Sequence, residues 1–193
     1  PSDPMKNIHW AATAKLGRIM IRNQEHTARQ SAMVLLNLQS NEYEQKQNRA
    51  DPEGVENCIR AAASVFEAAL DGDIPVSFSV NWKGQDGGFI AWGPGFGRGF
   101  VTMLCRCLAG LPEVGAESFS SFLDAVRIEP EITDLVIVTV FLSERIVSFC
   151  REQEEAGRMV RVLLLRPANR EIPDGCNVYL VSGEVPPDAG NIS

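Results

Sequence analysis

The chain contains no apolar run approaching the roughly 18 residues that a membrane-crossing helix needs, and no signal peptide is visible. It also has no disulfide framework. Its five cysteines, Cys58, Cys105, Cys107, Cys150 and Cys176, are odd in number and irregularly spaced, which points to a reducing compartment. Cys105 and Cys107 are the one close pair; with no second pair and no nearby His they read as small core residues rather than zinc ligands. Positive charge is short, with 18 Lys and Arg against 25 Asp and Glu and a net charge of −7. Phosphate contact needs clustered Lys and Arg, so this balance argues against a nucleic-acid binder. Only His9 and His26 represent histidine, and neither adjoins a nucleophile motif. Internal repeats and low-complexity tracts are absent.

What remains is an ordinary globular composition, with 45% hydrophobic and 22% charged residues. The 193 residues suit one domain with a sizeable core. Opening on Pro1 rather than Met, the chain is expected to be a piece of a longer protein. Charge is uneven along it: residues 1–30 carry net +3, leaving −10 for the rest. A basic start of this kind fits either a solvated face or a surface near anionic lipid.

Apolar periodicity gives the order of elements. Residues 31–38, SAMVLLNL, read as a short, doubly covered parallel strand. Asp51-Pro52-Glu53 starts a helix, and Val55, Ile59, Ala62, Val65, Phe66, Ala69 and Leu70 continue it as one stripe. IPVSFSVNW (74–82), turn residues between Gly84 and Gly88, and FIAWG (89–93) predict a hairpin. Helical spacing returns over 98–111, with a short helix around Phe119 to Val126. DLVIVTVF (134–141) predicts another buried strand, and Ser143 caps a helix that ends at Gly157. Strands over 159–165 and 177–182 complete the series. The expected fold is α/β, a Rossmann-like, mostly parallel sheet with helices on both faces and one antiparallel edge strand. Ligands of such sheets bind at the carboxyl ends of the strands near the switch in strand order, here Asn37 to Glu42 and Phe141 to Glu144.

Residues 2–25, SDPMKNIHWAATAKLGRIMIRNQE, resemble the signature of the domain of unknown function 58 family. The motif is carried by Asp3, then Ile8-His9-Trp10, then Thr13-Ala14-Lys15, Gly17 and the short strand Ile19 to Ile21; Ser2 stands where a Gly usually precedes the Asp. The element order is similar to a von Willebrand factor A domain, the fold that this family is thought to share. The resemblance implies three segments: an N-terminal signature segment (1–30), a von Willebrand A-like domain (31–185) and a C-terminal tail (186–193). It further implies the cytoplasmic domain of an inner or plasma membrane protein, anchored by helices preceding this region. The implied partner is a protein, with a MoxR-type AAA ATPase as the named candidate; oligomeric state stays open.

A metal-binding domain of this type needs hard oxygen ligands for Mg²⁺: Asp-x-Ser-x-Ser after the first strand, a distant Thr, and an Asp after a later strand. Here the first segment reads Asn37-Leu38-Gln39-Ser40-Asn41 and the later one Thr139-Val140-Phe141. Both carboxylates are missing, and neutral amides do not offset the dehydration of Mg²⁺. The expectation is a degenerate metal site with no metal, no cofactor and no catalysis, whose edge residues Asn37, Gln39, Ser40, Asn41, Ser143 and Glu144 meet a protein partner. Ser143 and Glu144 also read simply as a helix cap and its first-turn acid. Among the signature residues Asp3, His9, Trp10, Lys15 and Gly17, His9 and Trp10 are expected to be structural, pinning the segment to the domain. The alternative is a nucleotide-binding or hydrolytic enzyme that uses GPGFGRG, Gly93 to Gly99, with Arg98. That stretch precedes a helix N-terminus, yet it lacks the Gly-Lys-Ser/Thr of a P-loop and departs from G-x-G-x-x-G.

Overall fold

The computed structural model describes residues 30–42, 51–112, 116–166, 172 and 176–181. The signature residues Asp3, His9, Trp10, Lys15 and Gly17 and the tail 186–193 lie outside the described residues. Among the described residues six strands form one sheet: β1 (Ala32–Leu36), β2 (Val76–Lys83), β3 (Phe89–Gly95), β4 (Asp134–Thr139), β5 (Met159–Leu164) and β6 (Val178–Leu180). The described helices are α1 (Pro52–Asp71), α2 (Gly97–Ala109), α3 (Phe119–Ala125) and α4 (Glu144–Glu155).

The sheet order is β3-β2-β1-β4-β5-β6, with every pairing parallel except β2 with β3. Every residue of β1 and β4 is buried, which is why each reads as an unbroken apolar run rather than an alternating one. Ala32 pairs with Val76 on one side and with Asp134 on the other, so β1 and β4 form the centre. From β1 the chain crosses to β2, and from β4 it crosses the opposite way to β5. The strand order therefore switches between β1 and β4.

Each helix covers the face that its stripe dictates. Val55, Cys58, Ala62, Val65, Phe66 and Ala69 of α1 are buried, and Phe66 meets Phe78 of β2 edge-on at 5.5 Å. Phe89 lies opposite Lys83, on the face that alternates away from Phe78, and meets Phe122 of α3 at 5.1 Å. So α1 and α3 lie on opposite faces; α2 packs along α1, and α4 packs beside α3 and over β5. Asp51 caps α1 by accepting from Gly54 N at 3.3 Å, with Pro52 in the first turn. A Cβ on Gly54 would lie 2.6 Å from Asp51 Oδ2 and 3.2 Å from Val140 Cγ1, so the start of α1 presses directly on the end of β4. Cys58 and Cys150 are buried free thiols. Burial pushes both up to about 12, with the neighbouring Cys176 and Glu154 adding to the shift at Cys150, so both stay protonated core groups at neutral pH.

At the amino-terminal edge of the sheet a charged pair is sealed in the core. Arg161 Nη1 donates to Asp134 Oδ1 at 2.8 Å, and the two side chains are 4% and 1% exposed. Thr133 Oγ1 and Gln30 Nε2 donate to Asp134 Oδ2 at 2.7 and 3.3 Å. Removing one partner of such a pair strands a buried charge and costs about 3–5 kcal/mol, whereas an apolar pair of similar volume is often neutral or stabilising. Arg161→Met is thus expected to lower stability by about that amount, and adding Asp134→Leu to recover most of it. Urea denaturation of the two single variants and the double variant measures the coupling; additive losses would exclude it.

The Gly93 to Gly99 stretch is built into this scaffold. Gly93 and Gly95 belong to β3, and α2 begins at Gly97, whose φ is +82°. A Cβ on Gly95 would lie 2.5 Å from the Phe100 ring, whereas nothing lies within 4 Å of one on Gly93. Gly95 is where the α2 aromatic closes over the edge strand. Gly95→Ala should cost about 1–3 kcal/mol through overpacking, and Gly93→Ala much less. Equal denaturation midpoints for the two variants would refute this assignment.

Candidate functional site

The carboxyl ends of β1, β2 and β4 meet at the switch point, where the chain leaves the ladder and its polar groups must be satisfied locally. Asn37 follows β1 and continues the pairing, its N–H donating to Val138 O at 2.9 Å. Its side-chain Nδ2 donates to Thr139 Oγ1 at 3.0 Å. Its Oδ1 accepts from Gln39 N at 2.9 Å and from Asn81 Nδ2 at 3.2 Å. The first contact closes a local Asx turn and the second bridges to β2.

Asn81 is the second hub. Its Oδ1 accepts from Leu38 N at 2.8 Å, and its Nδ2 also donates to Glu117 O at 2.7 Å. Glu117 N returns a bond to Asn81 O at 2.9 Å. Gln39 Oε1 accepts from Phe119 N at 2.8 Å, tying the same turn to the start of α3. Thr139 Oγ1 donates to Phe141 O at 3.0 Å and accepts from Phe141 N at 3.3 Å, which folds the chain over the end of β4. Ser143 Oγ accepts from Ile146 N at 3.2 Å as the cap of α4, with Glu144 in its first turn. Beside this edge Arg166, just after β5, pairs with Asp51 at the start of α1.

The six expected edge residues do come together, but they divide by burial. Asn37, Gln39, Ser40 and Ser143 are 0%, 4%, 6% and 2% exposed, whereas Asn41 is half-buried and Glu144 is exposed. Asn37, Gln39 and Ser143 spend hydrogen bonds inward, so they set the shape of the edge, and contact with any partner falls to its outer residues. Asn81, the bridge between β1, β2 and the residues before α3, escaped the sequence reading. Its only signal was an amide on the polar face of an alternating strand, in step with Ser77 and Ser79, and its partners are 44 and 36 positions away.

Chemically, the centre of this edge holds neutral amides and hydroxyls. Asn37 Oδ1, at the position of the missing Asp, already accepts two hydrogen bonds. Among the described residues no three His, Cys, Asp or Glu side chains converge as metal ligands. Both histidines lie outside the described residues, and no nucleophile and base are brought together at this edge by any of the contacts above. Arg98 of the alternative reading lies on α2, away from the switch point, in a groove against α1. The chain matches no protein-family model, and no curated protein matches it significantly.

Asn81→Leu tests the lock. The substitution leaves Leu38 N and Glu117 O without their side-chain partner and removes one of the two bonds that Asn37 Oδ1 accepts, and each orphaned polar group costs about 1–3 kcal/mol. The expected loss is about 2–4 kcal/mol, with faster hydrogen exchange at Leu38 and Phe119. An unchanged exchange rate at Phe119 would show that the turn does not depend on Asn81.

Proposed function

We propose that this chain is a non-catalytic, metal-independent protein-interaction domain of von Willebrand A type, belonging to a membrane-anchored protein. One observation carries the reading: where metal-binding domains of that type place carboxylates, Asn37 and its partners Asn81 and Thr139 form a closed, buried amide and hydroxyl network. A network of this kind holds its loops in one arrangement, and Asn37 Oδ1 and Thr139 Oγ1 each already accept two hydrogen bonds inside the chain rather than facing a hard cation. The strand order, with its antiparallel β3, supports the resemblance, since fold alone leaves function to the site. The partner surface is the rim around the network, at Asn41 and Glu144. A MoxR-type AAA ATPase is the partner to try first, on the strength of the family resemblance.

Thermal unfolding with and without divalent cations tests metal independence. Millimolar Mg²⁺ or Mn²⁺ should leave Tm unchanged, because a bound ligand at 100 times its Kd adds about 2.7 kcal/mol of stability. A saturable rise in Tm that Asn37→Ala abolishes would overturn the reading.

A further inference from the structure

Two charge placements oppose the helix dipole, and both face one groove. Glu67 and Asp71 sit four residues apart near the carboxyl end of α1, where the dipole is already negative, and the last turn holds no basic residue. The exposed Asp73 follows directly, with φ at +52°. Across from them, Arg98 lies in the first turn of α2, which contains no acid and has no side-chain cap. No ion pair joins Glu67, Asp71 or Arg98 to another described residue. Each placement weakens its own helix by a few tenths of a kcal/mol. Where local rules are broken together on one surface without an internal gain, a role in binding is the physical explanation that remains.

The groove between the two helices measures about 430 Å³, with Leu70, Val101 and Cys105 along its floor and Glu67, Asp71 and Arg98 at its rim. Burial, and then the charge of Glu67, push the Cys105 thiol up, which places the field of that carboxylate inside the groove. Acids outnumber the base on the rim, and the negative end of α1 adds to them.

We propose that the α1–α2 groove docks a basic amphipathic segment of a protein partner, with apolar side chains over Leu70, Val101 and Cys105 and Lys or Arg against Glu67 and Asp71. Arg98 repels a basic residue at its own end of the groove and so sets the direction in which the segment lies. Charge complementarity selects this occupant, because an acidic segment would meet two carboxylates and a helix carboxyl end. This surface is separate from the switch-point edge, so the proposal stands or falls independently of the function inferred there.

Amide chemical shifts during titration with synthetic peptides provide the test. A helical Leu/Lys peptide should shift the amides of Leu70, Val101 and Cys105 saturably, while a Leu/Glu peptide of the same pattern leaves them in place. In the variant Glu67→Gln/Asp71→Asn the affinity should fall about five- to tenfold, as expected for two exposed ion pairs. Three results would overturn the proposal. The first is no shift at these amides at millimolar peptide, or equal shifts with the Leu/Glu peptide. The second is binding that the variant leaves unchanged, which would mean general attraction to an acidic protein. The third is the same shifts produced by raising the protein concentration alone, which would make a second copy of the chain the occupant.

Discussion

The central pairing of β1 with β4 is the constraint on which everything else depends. Both strands are buried along their whole length, so where they end the backbone has no water to turn to. Something in the chain must accept and donate at that point, and Asn37, Asn81 and Thr139 do so. Through Gln39 and Glu117 the same network fixes the residues leading into α3, and at Thr139 it turns the chain toward the cap of α4. The positions of two helices on one face thus follow from how the sheet terminates.

Much of the fold was legible because its signals are local. Short apolar runs gave β1, β4 and β5, alternation gave β2, and the stripe from Val55 to Ala69 with its Asp51 cap gave α1 within a residue. The Gly84 to Gly88 turn gave the antiparallel edge, and the structure closes it through Gly84 N to Gly88 O at 2.8 Å. The site was legible only in outline. Its location follows from topology, and the neutral residues at Asn37 and Val140 are visible by position. Which side chains face inward is set by contacts across as many as 102 positions, as between Asn37 and Thr139, and no periodicity carries that information. The same reason hid the bond between Asp134, at the start of β4, and Arg161, inside β5, because neither charge reveals a partner until the two strands pair.

The two ends of the sheet solve the same problem with different chemistry. At the amino-terminal edge an ion pair lies in the core, where pairing offsets the cost of dehydrating two charges and breaking the pair costs far more than never having had it. Such a pair penalises any strand register that separates Asp134 from Arg161, which favours the observed β4–β5 alignment over slipped ones. At the carboxyl edge the network is neutral, so its strength changes little with salt or with pH across the physiological range. A carboxylate there would need a cation to balance it, and the shape of the edge would follow cation supply. Amides remove that dependence, because their donors and acceptors are matched within the chain. On the proposed function, the rim of this edge keeps one form, and regulation of binding there comes from the partner or from residues outside the network.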